Sequence, residues 1–327
     1  MNRIQKIYST LFLVCLQISA FAGTGGDTDP WVEKTKTYSK SYTLSGSDAV
    51  SISNQFGDIK YVNWDKSEVK VDVTMVGKAK TEDVAEELLD RLSIEDGKSG
   101  STVNFKTKMK DSWGKGSRYN NTSFSINYVV YIPSTATLNS TNQFGKTFIG
   151  DYKGAISIEQ KFGVLTAGKL SNVKSIEIEF SGGSSIESIN GGTVSIKFSK
   201  TLISKVEGTV KMNLEHNGSI KLGLDNALKS LTIKNNFNEL LLDVSKDFSA
   251  NCSFHTNFSE LKNKTGFDID EDKEDNDRRG PKFDHDYNGK CGNGGATLKV
   301  NSEFGDVIMG HQLNFNLNEG KKKEREI

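Results

Sequence analysis

Proline is nearly missing from this chain: 327 residues hold three, Pro30, Pro133 and Pro281, and none lies between positions 144 and 265. Because proline cannot donate to a strand ladder, that stretch is free to form one unbroken sheet. Histidine is as scarce, with His216, His255, His285 and His311 scattered along the chain. No HExxH, CxxC or GxSxG pattern occurs, so metal and nucleophile chemistry find no motif. Charge of neither sign dominates, since Lys plus Arg and Asp plus Glu each number 42. Without a basic stripe, no nucleic-acid partner is expected. Beyond the N-terminus no segment is long and apolar enough to cross a bilayer.

The N-terminal exception reads as a signal peptide over 1–22. Arg3 and Lys6 precede an apolar stretch that runs to Ile18, and Ala20, Phe21 and Ala22 form a small-x-small cleavage site. Cys15 follows Val14, where lipid attachment requires a small residue. Export to the periplasm or cell surface is therefore expected, with no transmembrane segment after cleavage.

What the mature chain has in abundance is a repeat. Phe144 returns as Phe162, Phe180 and Phe198 at steps of 18; His216 takes the slot next, and Phe237 and Phe258 follow at steps of 21. Phe56 and Phe304 carry the same local motif on either side. A period near 20 marks a solenoid, in which each repeat buries its apolar face only by stacking on its neighbours. Alternation such as Ile176, Ile178, Phe180 with glutamates between them predicts half-buried strands. Coils of 18 to 21 residues leave no room for a crossover helix. The predicted fold is all-β, a parallel β-solenoid or β-helix with the eight phenylalanines as an internal structural column. The residue after each aromatic is Gly, Ser or Asn, which predicts a corner with positive φ at that following position.

The N-terminal region contains one persuasive helix, TEDVAEELLDRL at 81–92. Thr81 is placed to cap it, and Val84, Leu88 and Leu92 line one face. It is expected to pack across or beside the first coils. The domain plan is then a signal peptide (1–22), a less regular solenoid start (23–135), regular coils (136–312) with an acidic insert at 267–295, and a charged tail (313–327).

A strand, an FGD-like corner, a short acidic helix, YVVYIP at 128–133 and FG-cornered repeats follow one another in this chain. In that order, residues 45–310 resemble the bacterial β-strand-repeat putative adhesin family. The resemblance implies a β-solenoid in an exported envelope protein and brings no catalytic residues. His216 departs from the pattern and is expected as a tolerated core or corner histidine.

Four further constellations bear on function. Asp268, Asp270 and Asp272 alternate as calcium ligands do, but Lys273 and Arg279 stand where an EF-hand needs glycine and glutamate. A solvated, mobile loop is the competing reading. Cys252 and Cys291 bracket that insert, either paired or, for Cys252, as a buried thiol. Trp113, Arg118 and Tyr119 suit a sugar- or protein-contacting loop. Glu159, Glu177, Glu179, Glu187 and Glu207 offer carboxylates to polysaccharide chemistry, although outward charges on strands are also the ordinary solvated pattern. The expectation is a noncatalytic exported envelope protein without cofactors, presenting a binding or adhesion surface to an envelope protein or glycan. A carbohydrate-active β-helix enzyme and a periplasmic structural or sensor protein are the alternatives.

Overall fold

The structure, a computed structural model, describes residues 31–110, 121–272 and 283–317. The leader, the segment holding Trp113, Arg118 and Tyr119, and the tail beyond 317 lie outside the described residues.

The chain is all-β with one helix among the described residues. The N-terminal strands are β1 (Val32–Thr43), β2 (Ala49–Gln55), β3 (Ile59–Trp64) and β4 (Glu68–Ala79). Helix α1 (Glu82–Asp90) precedes β5 (Leu92–Ser99), β6 (Thr102–Met109), β7 (Ser123–Pro133), β8 (Thr137–Gln143) and β9 (Thr147–Ile149). The central strands are β10 (Ile156–Lys161), β11 (Leu165–Leu170), β12 (Val173–Glu179), β13 (Ser184–Lys197), β14 (Thr201–Glu215), β15 (Ser219–Asn236) and β16 (Glu239–Val244). Last come β17 (Ala250–Asn257), β18 (Leu261–Asn263), β19 (Asp268–Glu271), β20 (Asp284–Cys291), β21 (Ala296–Glu303) and β22 (Val307–Gly310). They join in one 22-stranded sheet of mixed parallel and antiparallel pairs, nearly closed and barrel-like.

Two runs of parallel pairing organise this sheet. In the first, β2, β8, β10, β12 and the second halves of β13, β14 and β15 pair in succession and continue through β21 to β17. In the second, β3, β9, β11, the first halves of β13 to β15, β16, β22 and β18 do the same. The register places like over like: Ile158 on Ile176, Ile176 on Val194, Val194 on Met212 and Met212 on Ile233. All five are buried, and one apolar cluster extends from Leu44 to Met309. Period-two alternation turns these side chains inward and leaves the charged residues between them in water.

The spatial order of the last strands differs from their order in sequence. β21 lies between β15 and β17, and β22 between β16 and β18. The acidic insert also departs from the free loop expected. Its described flanks, β19 and β20, pair antiparallel with each other, and β20 pairs with β17.

At the other end β1, β4 and β7 form antiparallel pairs, and β7 joins β3 in parallel. Helix α1 lies against β1 and β4 and buries Val84, Ala85, Leu88 and Leu89. Gly77 permits that approach, since a Cβ there would meet the Ala85 carbonyl at 2.8 Å. The helix ends before Leu92, which starts β5. Thr81 occupies the cap position without a side-chain bond; its carbonyl accepts from the Ala85 N–H at 3.1 Å. Beyond β22 the tail turns back over the second run of strands. Leu313 N–H donates to Asp243 at 3.2 Å, and Lys200 lies 5.4 Å from the Phe315 ring.

Candidate functional site, an aromatic column at the corners

Nine strands end one residue before a repeat aromatic, and at that residue the chain turns. Phe56, Phe144, Phe162, Phe180, Phe198, His216, Phe237, Phe258 and Phe304 all hold φ between 49° and 64°. Positive φ therefore belongs to the aromatic itself, a correction to its expected place one residue later. Each aromatic N–H donates across to the neighbouring chain segment, as from Phe162 to Glu179 O at 3.0 Å and from Phe180 to Lys197 O at 3.1 Å, with Phe258 reaching Phe283 O just before β20. The corners are thus tied into the ladder.

The following residue is small for a different reason. A Cβ on Gly145 would lie 1.9 Å from Gly57 O, and one on Gly163 1.8 Å from Gly145 O. Where the following residue has a side chain, that side chain fills the corner with hydrogen bonds. Ser199 Oγ accepts from Ser181 N–H at 3.0 Å, Asn217 Oδ1 accepts from Ser199 N–H at 2.8 Å, and Asn217 Nδ2 donates to Ile196 O at 2.8 Å.

The eight phenylalanines do form a column, but it faces outward, not into the core. Their rings stack in the spatial order 56, 144, 162, 180, 198, then His216, 237, 304 and 258. Centroids are 4.8–5.3 Å apart and planes within 10°, over eight steps that span about 40 Å. The phenylalanines from 144 to 304 are 47–52% exposed. Phe124 extends the column edge-on at one end, and Phe283 stacks on Phe258 at the other. Neither carries the repeat motif or a positive φ, so no periodic signal marks them. His216 is a corner histidine, its ring between those of Phe198 and Phe237. Ring faces are covered by the neighbouring rings, so the column shows water its edges.

A row of alternating charge flanks the column. Lys161, Glu179, Lys197 and Glu215 each precede an aromatic and are neighbours in register; Gln143 and Gln55 continue the row on one side, and Asn236, Glu303 and Asn257 on the other. Lys161 lies 3.4 Å from Glu179, and Lys197 3.1 Å from Glu215. Glu159, beside Lys161, raises the lysine's pKa above the ordinary range, and Asn213 followed by Lys197 lowers that of Glu215.

The other candidates are placed as follows. Asp268, Asp270 and Asp272 lie on or beside β19, and among the described residues no three acidic, His or Cys groups converge to hold a metal. Glu271 instead meets His285 at 2.8 Å. Cys252 and Cys291 are buried free thiols whose sulfurs lie 3.0 Å apart. The contact with Cys291, together with burial, holds the Cys252 thiol well above the usual range. An open cleft of about 360 Å³ beneath the tail is lined by Lys205, Asp225, Asp243 and His311. Its charges have partners in the chain: Lys205 pairs with Glu207 and Asp225, and Asp243 with Lys221.

No family model matches this chain, and no curated protein does. Among solved structures it is similar to a putative adhesin from Bacteroides fragilis, at 8% identity over 84% of this chain and 97% of that one, with a TM-score of 0.35. A putative cell adhesion protein from Clostridium sporogenes matches at 11% identity, covering 85% and 100%, with a TM-score of 0.25. A putative lipid binding protein from Parabacteroides distasonis matches at 12% identity, covering 84% and 96%, with a TM-score of 0.27. Likeness at this level says nothing about activity or partner.

Proposed function

We propose that this chain is a noncatalytic exported envelope protein, a parallel β-solenoid of the adhesin-like kind, that acts by presenting a rigid contact surface. The carrying observation is the aromatic column. Monomeric proteins rarely expose an apolar patch beyond about 300–600 Å², whereas seven phenylalanines left half bare, at about 100 Å² each, expose about 700 Å². The repeated like-over-like register supports the solenoid reading and fixes that surface at strand spacing. Since sugars stack on open ring faces and these are covered, the column suits a protein partner better than a glycan.

Retention of envelope proteins and of a glycan panel on the immobilised chain tests the reading, with Phe180→Ser/Phe198→Ser as comparison. Retention by the parent chain and its loss in the double variant is the expected result. Shortening of any polysaccharide on the panel, or equal retention by both chains, contradicts it. Protease shaving of intact cells, read for cuts within 267–280, decides between surface and periplasm.

A further inference from the structure

We infer that the partner of the column is a second copy of this chain, packed antiparallel across a two-fold axis that passes between Phe180 and Phe198. The inference deepens the reading of the column as a contact surface and rests on it. The bare area comes first: about 700 Å² approaches the roughly 800 Å² that one partner contributes to a stable interface of standard size.

The charge row decides the geometry. Reversal about that axis sets Glu179 against Lys197 of the other copy, and Lys161 against Glu215. Neutral Gln143 then meets Asn236, and Gln55 meets Glu303. Reversal is what brings the row against itself with its signs opposed; rotation about the column's own axis would instead carry it to the opposite flank, where Val164, Gly182 and Gly218 offer no charge and Lys200 would meet Lys197. The axis also falls near the middle of the column, so Phe56 meets Phe304 and only Phe258 lies beyond the last pair of repeat rings.

The opposite flank agrees. Lys146 comes against Glu239 of the second copy; between them Val164 meets Gly218, and Lys200 meets Gly182, whose missing side chain leaves it room. Asp58 meets Asp306 only at the outer ends, where Asp58 accepts from the Lys146 N–H at 2.8 Å and Asp306 pairs with Lys262 within one chain. Side chains in the main row are 20–32% exposed, so each can share its charge across the contact. An isologous contact of this kind closes on itself and stops at two copies.

The test is the mass in solution, by light scattering at about 100 µM, of the mature chain and three variants checked for an intact melting transition. A dimer is expected for the parent. Lys161→Glu sets two carboxylates against each other and weakens the dimer about tenfold or more. Lys161→Glu/Glu215→Lys restores it, and no intramolecular contact can supply that rescue, because the two positions lie three strand spacings apart, about 15 Å. Phe198→Asn removes a ring while keeping a residue that tolerates the corner's positive φ, and it yields a monomer. A monomeric parent overturns the inference, as does a dimer indifferent to Lys161→Glu, or a folded charge-swapped chain that stays monomeric. A monomer that still retains envelope partners removes this inference alone, while a dimer that retains none supports it and sinks only the broader binding role.

Discussion

At Phe180 two local energies oppose each other. Holding an L residue at φ 53° costs about 1–2 kcal/mol, while stacking on Phe162 and Phe198 returns about 0.5–1.5 kcal/mol per ring pair. Because the ring is half bare, Phe180→Ala should cost about 2 kcal/mol in urea unfolding, less than the 3–5 kcal/mol of a fully buried phenylalanine. Phe180→Gly should cost no more than the alanine, reversing the usual order within strands, because glycine holds the corner without strain. A glycine variant clearly below the alanine would refute that balance. The adjoining glycines divide on the same physics. Gly145→Ala, driven onto the Gly57 carbonyl, should lose about 3 kcal/mol, whereas Gly182→Ala, with nothing within 4 Å, should melt as the parent does.

At the scale of the element, much was legible and the misreadings have definite causes. Alternation at Ile176 and Ile178 correctly marked inward positions, and the aromatic marked each strand's end. Continuing that parity to Phe180 predicted an inward ring. The strand stops at Glu179, so parity does not carry across a residue in the left-handed region. Among the polar candidates, the antiparallel pairing of β17 with β20 brought Cys252 and Cys291 together, which spacing alone left open. Oxidation needs the sulfurs to close by about 1 Å. The bond would stabilise the fold by about 4 kcal/mol in the chain-entropy model for a 39-residue separation. Thiol counts before and after mild oxidation, with melting curves, check this. A oxidised chain that melts with the reduced one would contradict it.

Over the whole molecule, buried tyrosines set an upper pH limit. Burial raises the phenol groups of Tyr61, Tyr128 and Tyr152 far above their ordinary value. The folded chain therefore binds protons that the unfolded chain gives up near pH 10, so their contribution is complete below that value and is lost as pH rises further. Phenolate absorbance should appear in step with loss of the strand signal, and phenolate formed well before unfolding would argue against the assignment. The interleaving of the last strands bears on how the molecule is made. Phe304 enters the stack ahead of Phe258, although it is synthesised later. A chain emerging from its N-terminus can therefore add turns one by one only as far as Asn236. It must then hold a vacant berth, with the 250–257 strand waiting, until 296–310 arrives to fill it. Completion at that end is a docking event that waits for 296–310, which makes that segment the latch of the assembly.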